Sequence, residues 1–169
     1  FTLLVNGIPL AIIEVKPSTR IGSVNEAIDQ IRRYEQQSPD LFRFVQLGIA
    51  YADEKRFTPT FPNWTREKRI IPAQPWKVKK KINGKTIREE NIYHLLKPEV
   101  LLEVVKWFIF FREREGAKDK IVARYNQFAA TKEALTRINE YLSGGEKRNG
   151  LIWHWQGSGK TYTMFFIAN

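Results

Sequence analysis

The sequence predicts an α/β chain: a mixed sheet with flanking helices, then further helices leading into a second α/β unit that opens at a Gly-rich turn. Three observations carry this expectation. Asn6-Gly7 stands between two apolar runs, the strongest short signal for a hairpin. Val24, Ala27, Ile28 and Ile31 recur at helical spacing. Near the end, apolar residues, a Gly-rich turn and Lys160-Thr161 follow in the order strand, loop, helix. With 169 residues, 43% of them hydrophobic, the chain has room for one compact domain or parts of two and enough apolar side chains for a core.

The elements are expected in this order. Leu3 to Val5 and Ile8 to Lys16 form the hairpin strands. Ser23-Val-Asn-Glu26 reads as a capping box, with the Ser hydroxyl accepting from the N3 amide and the Glu reaching back. The helix it opens is stopped by Ser38-Pro39-Asp40, and Phe42 to Tyr51 reads as a third strand. A Pro-rich, aromatic and basic loop is expected from 53 to 90, with a hairpin at Asn83-Gly84. Pro98 suits the first position of a buried helix reaching about Glu115, since its missing N–H is an orphan there anyway. A further helix from Asp119 to Leu142 ends at Ser143-Gly144-Gly145, and Gly150 to His154 reads as a short strand. The composition shift near 90–98 sets two expected domains, 1–92 and 93–169. The chain opens at Phe1 already inside a strand and closes before a helix has found a C-cap, so it reads as a piece of a longer polypeptide.

The absence of Cys rules out disulfides, thiol nucleophiles and Cys-ligated metals, and two distant His residues build no His-rich site, so any metal must be held by oxygens. The apolar run Val100 to Phe111 falls well short of the ~20 residues a bilayer needs, and no export signal opens the chain, so no membrane partner is expected. The net charge of +10 is unevenly placed: Arg66 to Arg88 holds nine basic residues against Glu67 alone. Such a run is either a solvated, Lys-guarded edge or a phosphate-facing patch. The interleaved Phe57, Phe61, Trp64 and Trp76 serve that patch or simply pack an ordered loop.

Two constellations have spacings that chemistry uses. Glu14-Val15-Lys16 ends the second strand, and alternation puts Glu14 and Lys16 on one face with Val15 toward the core. A carboxylate and an ammonium side by side can hold a divalent metal and stabilise charge on a phosphate; an ion pair at a strand end has the same pattern. Gln30 and Tyr34, at i and i+4, share a helix flank, either reaching that site or forming a satisfied polar edge. In His154-Trp-Gln-Gly157-Ser158-Gly159-Lys160-Thr161, the glycines let backbone amides close on phosphate oxygens, Lys160 reaches the β- and γ-phosphates, and Thr161 ligates Mg²⁺.

These segments resemble the restriction subunit of type I restriction–modification enzymes. Phe1 to Lys16 followed by Glu26 to Tyr34 is similar to that family's PD-(D/E)xK nuclease core, in which an Asp on the first hairpin strand joins E-x-K and a Q-x-x-x-Y helix. Glu14, Lys16, Gln30 and Tyr34 match in order and spacing. The Asp does not, and the hairpin register puts it immediately before Phe1. The Gly-rich turn resembles the first motif of superfamily 2 helicases, and Arg124-Tyr-Asn-Gln127 their upstream adenine-reading element; as an alternative, Gln127 is an exposed polar helix residue.

The resemblance implies a restriction-endonuclease-like sheet followed by the start of a RecA-like P-loop lobe. It implies a cytoplasmic type I site-specific deoxyribonuclease that translocates and cuts double-stranded DNA with ATP and Mg²⁺, partnered by methylation and specificity subunits. Glu14, Lys16, Gln30 and Tyr34 would be catalytic, with Glu14 on the metal; Gln127, Gly157, Ser158, Gly159, Lys160 and Thr161 would bind nucleotide. The D-E-x-H motif and second lobe are missing from this stretch, so it is expected to be inactive alone. Two other functions fit the same residues: a nuclease–helicase fusion of DNA repair, and a non-catalytic basic DNA-binding module.

Overall fold

The structure is a computed structural model, and it describes residues 1–17, 22–52, 76–77, 87–114, 116–146 and 149–169. The expected basic run from Arg66, apart from positions 77 and 88, and the hairpin at Asn83-Gly84 lie outside the described residues.

The first hairpin forms as expected. Strands β1 (Thr2–Val5) and β2 (Ile8–Lys16) are antiparallel, and Asn6 and Gly7 both take positive φ, 50° and 80°, the requirement of a type I′ turn. The register shifts by one residue between Leu3 and Leu4, a bulge that sets what faces what further along. Helix α1 (Ser23–Gln37) then crosses over to β3 (Leu47–Ala52), which pairs parallel to β2. The sheet order is β1-β2-β3.

Helix α1 covers one face of this sheet. Ala27, Ile28 and Ile31 are buried against Ile12 and Ala50 with Val24 packed beside them, the face the periodicity predicts. On β3 that face carries Gly48 and Ala50, small enough for a helix to lie close. Ile31 is fully buried, so Ile31→Ala should cost about 3 kcal/mol by removing methylenes and leaving a cavity. Denaturant unfolding should show a lower midpoint with an unchanged m-value.

Several expectations are corrected. Ser23 is not the N-cap: Gly22 takes that position with φ 91°, Ser23 is buried in the first helical turn, and the Glu26 carboxylate turns toward Lys16 instead of back to the cap. A short helix α2 (Pro39–Phe42) uses Pro39 to start a turn where only a stop was expected, so β3 begins at Leu47 rather than Phe42. Helix α3 (Ile87–Leu96) occupies the end of the expected loop and spans the expected 92/93 division.

Helix α4 (Pro98–Trp107) has Pro98 at its start as expected, but it stops at Trp107 and is not buried all round: Leu102 and Trp107 are exposed. The rest of the expected helix is strand β4 (Ile109–Arg114), paired with β5 (Ala117–Val122). The bulky, β-branched and aromatic residues Ile109, Phe110 and Phe111 favour an extended chain, and Gly116, at φ 76°, lies in the connection. Helix α5 (Tyr125–Leu142) consequently starts six residues later than the expected Asp119. Helix α6 (Lys160–Ala168) follows the Gly-rich turn. Gly150 to His154 does not form the expected strand, because no described strand lies beside it.

The second face of the sheet, with Ala11, Leu47 and Ile49, belongs to one apolar cluster that continues through Leu95, Leu101, Val104, Phe108 and Phe128 to Phe166. Trp76 is buried in it, its indole N–H donating to His94 Nδ1 at 3.2 Å. This is the packing role among the two expected for the aromatics of its segment.

Candidate functional site

The hairpin and the crossover together build the first constellation. Glu14 and Lys16 lie on the α1-covered face, beside Ala50 and Ala52 of β3, whose small side chains leave room above them. Lys16 Nζ stands 3.2 Å from Glu14 Oε1 and 3.5 Å from Glu26 Oε1. The Tyr34 hydroxyl donates to Glu14 Oε2 at 3.5 Å. The Glu14 and Lys16 side chains are 16% and 18% exposed, open enough for a phosphate to reach and closed enough for charge to count. The hydrogen bond that Lys16 donates to the Glu14 carboxylate is the main cause that holds Lys16 above its ordinary value, so the ammonium stays charged.

Val15 does not point into the core. It is 45% exposed, because the buried functional face is the one under α1 and the opposite face is uncovered at this end of the strand. Gln30 shares the Tyr34 flank, but its Oε1 accepts from Arg33 Nη2 at 2.6 Å rather than meeting Glu14. The residue that sequence reasoning missed is Glu26. Its signal was available: Glu26, Gln30 and Tyr34 stand at i, i+4 and i+8, one line along a helix.

The antiparallel pairing extends one step past β1. Phe1 and Ile13 exchange both backbone hydrogen bonds, 2.7 and 2.8 Å. Any residue joined to the Phe1 amino group would therefore stand directly opposite Glu14, with Cβ atoms about 5 Å apart on the same face. As a metal site the described residues are incomplete, since no group of three His, Asp or Glu occurs among them. They supply one carboxylate that could ligate, Glu14, with Glu26 on the far side of Lys16.

The second constellation is the turn before α6. Gly157 and Gly159 both take φ 78°, a left-handed conformation that costs an L-residue energy. Ser158 is fully buried between them and Lys160 and Thr161 are exposed. Lys160 Nζ rests on the carbonyls of His154 and Trp155 at 3.4 and 3.2 Å, weak acceptors for an ammonium. The Gly159 and Lys160 N–H groups make no hydrogen bond to other described residues. Left-handed glycines, free amides, a helix N-terminus and a cation fit a polyphosphate, and exposed Thr161 can ligate its Mg²⁺.

Gln127, expected either as a base reader or as an exposed polar residue, is not exposed. It is 2% exposed. Its Oε1 accepts the Arg124 N–H at 2.8 Å, and its Nε2 donates to the carbonyls of Ser158 and Gly159 at 3.3 and 3.0 Å.

Between the two sites lies the β4–β5 hairpin. Arg112 donates to the Tyr162 hydroxyl on α6 at 2.8 Å, and Lys120 donates to Gln46 Oε1 beside β3 at 2.7 Å. Burial pushes Lys120 down to about 8, with the nearby Glu35 charge working against the shift. The unfolded chain holds this proton up to 10.5, so between those values it binds more protons than the folded protein. Stability should therefore rise with pH across that window, by up to about 3 kcal/mol. Unfolding in denaturant at pH 7.5 and 10 should show the gain, and Lys120→Met should remove it.

Comparison with known proteins places two family matches on the chain. The family described as type I restriction enzyme R protein N terminus matches residues 1–67, and the SWI2/SNF2 ATPase family matches residues 126–169. A Methanocaldococcus jannaschii protein, provisionally named type I restriction enzyme MjaVIIP endonuclease subunit, is 57% identical over 99% of this chain and 16% of its own length. The type I restriction enzyme HindI endonuclease subunit of Haemophilus influenzae is 30% identical over 97% of this chain and 16% of its own. A Staphylococcus aureus endonuclease subunit, SauCOLORF180P, is 28% identical over 97% of this chain. The chain thus spans about a sixth of the length of these relatives.

Proposed function

This chain belongs to the endonuclease-subunit family of type I restriction enzymes, and from that premise we propose that it carries the nuclease centre and the nucleotide cradle of an ATP-dependent DNA-cleaving subunit. The observation that carries the proposal is the Glu14–Lys16–Tyr34 cluster, held on the covered face of a strand whose neighbour would set a residue joined to Phe1 opposite Glu14. The small mixed sheet with α1 across it would be the core of a restriction-endonuclease-like fold. The turn at 157–161 with α6 would begin a RecA-like lobe.

A divalent metal such as Mg²⁺, when bound, would lower the pKa of a water and neutralise charge on the scissile phosphate. Glu14 would hold it, and the residue preceding Phe1, expected to be Asp, would complete the ligand set. Lys16 would place its ammonium against the phosphate oxygens and stabilise the charge that develops there. Tyr34 orients the Glu14 carboxylate through its hydroxyl. At the second site the Gly159 and Lys160 amides, Lys160 and Thr161 would bind Mg-ATP, while hydrolysis needs groups that no described residue supplies. The partners would be double-stranded DNA with methylation and specificity subunits, in the cytoplasm. No described helix is long and apolar enough to cross a membrane.

A repair nuclease–helicase would share both sites, but the relatives named above are restriction subunits by name. The test is reconstitution of the full-length protein with methylation and specificity subunits encoded beside it. ATP- and Mg²⁺-dependent cleavage of unmethylated duplex DNA is the expected result. Cleavage that needs neither ATP nor those subunits would point to the repair class, and DNA binding without cleavage under any condition to the non-catalytic one.

A further inference from the structure

We propose that Glu26 is a positioning residue of the nuclease site: its carboxylate receives the Lys16 ammonium when a divalent cation takes Glu14. The inference rests on the reading that Glu14 holds a metal, and it adds to that site a residue of α1 that neither E-x-K nor Q-x-x-x-Y contains.

Both oxygens of Glu14 are engaged. Lys16 Nζ stands 3.2 Å from Oε1, and the Tyr34 hydroxyl donates to Oε2 at 3.5 Å. The hydroxyl is neutral and can stay beside a carboxylate that holds a metal. The ammonium cannot stay on the oxygen that a cation takes, because the two positive charges would stand within a few ångströms of each other. Nor can it be left without a partner cheaply, since the Lys16 side chain is only 18% exposed. Glu26 resolves the conflict. Its Oε1 is already 3.5 Å from Lys16 Nζ, so a shift of less than about 1 Å brings the ammonium to full hydrogen-bond distance of the second carboxylate.

Helix α1 puts Glu26 in place through its own register. Ala27, Ile28 and Ile31 are buried against the sheet and fix the rotation of the helix about its axis. Glu26 and Tyr34, at i and i+8, then fall on one line along it and hold the Glu14–Lys16 pair from opposite ends, Tyr34 by the carboxylate and Glu26 by the ammonium. Glu26 stands in the first turn of α1, where the helix dipole favours a negative side chain. The two carboxylates differ in solvation, with Glu26 48% exposed and Glu14 16%. A divalent charge gains more than a single one from the less solvated partner, so the cation belongs on Glu14 and the ammonium on Glu26.

The experiment uses the full-length protein without nucleotide and measures Mn²⁺ alone by titration calorimetry, with the binding that Glu14→Ala abolishes defining the site. Glu26→Gln keeps the size of a half-exposed side chain and removes its charge. It should weaken Mn²⁺ at this site by about threefold to fivefold, the worth of a partly exposed ion pair. In the complex reconstituted with methylation and specificity subunits, its DNA cleavage should slow at limiting Mg²⁺ and recover as Mg²⁺ is raised, with KM for DNA and ATP turnover unchanged. The deciding measurement is the same substitution in a Lys16→Met background, where no ammonium needs a second partner. There Glu26→Gln should leave Mn²⁺ affinity as it is. An equal loss in both backgrounds would make Glu26 a direct ligand or a plain negative charge near the metal and overturn the proposal, as would no loss in either. A wild-type protein with no Glu14-dependent Mn²⁺ site would instead remove the metal-nuclease reading, and this proposal with it.

Discussion

Full-length protein carrying Glu14→Ala or Lys16→Ala should lose metal-dependent DNA cleavage by about a thousandfold or more while keeping its fold. The magnitude follows from removing a group aimed at charge that develops in the transition state, which is worth far more than a ground-state contact. Neither substitution strands a buried charge. Without Glu14, Lys16 keeps the Glu26 carboxylate at 3.5 Å; without Lys16, Glu14 keeps the Tyr34 hydroxyl at 3.5 Å. Stability should therefore move by no more than about 1 kcal/mol, the worth of a partly exposed ion pair. A supercoiled-plasmid assay in Mg²⁺, run beside denaturant unfolding, separates the two quantities. Cleavage that survives both substitutions would return Glu14 and Lys16 to an ion pair at a strand end.

Lys160→Ala should weaken Mg-ATP binding by about a hundredfold or more, the loss of a charge-assisted contact to the β- and γ-phosphates. The Lys160 ammonium now rests on two backbone carbonyls, which a triphosphate would easily outcompete. Because Lys160 is exposed, circular dichroism should show an unchanged fold. ATP-driven movement along DNA, and the cleavage that depends on it, should stop. The two sites should also dissociate: Glu14→Ala protein should bind ATP normally, and Lys160→Ala protein should keep an intact nuclease centre. A Lys160→Ala protein that still moved along DNA would remove the turn from the motor.

Local signals in the sequence carried the local parts of the fold. Asn6-Gly7 gave the hairpin because a type I′ turn needs two positive φ values, and Val24, Ala27, Ile28 and Ile31 gave α1 its face. The strand pair at 109–122 was missed because a short apolar run such as Ile109 to Phe111 has no period of its own and reads as helix or strand alike. Alternation along β2 correctly grouped Glu14 with Lys16, but which face is covered depends on where α1 returns, and Val15 came out exposed. Gly150 to His154 has the composition of a strand, yet a strand is made by its neighbour. Glu26 was read through its nearest cap and Gln127 through its motif. Each makes a contact to a distant element that local pattern does not show: Lys16 on β2 for one, the carbonyls of a turn 31 and 32 residues on for the other.

That unpaired stretch has a consequence for the chain in solution. Gly150 to Trp155 contains no formal charge and no Pro, and Leu151 and Trp153 are 84% and 86% exposed. An exposed, apolar, β-prone segment is an edge on which another copy of itself can pair. Concentrated samples of these 169 residues should scatter light increasingly with time, seeded through this edge rather than through unfolding. Leu151→Lys would place a charge in the middle of the ladder and should raise the concentration at which scattering begins, with the nucleotide turn six residues away left as it is.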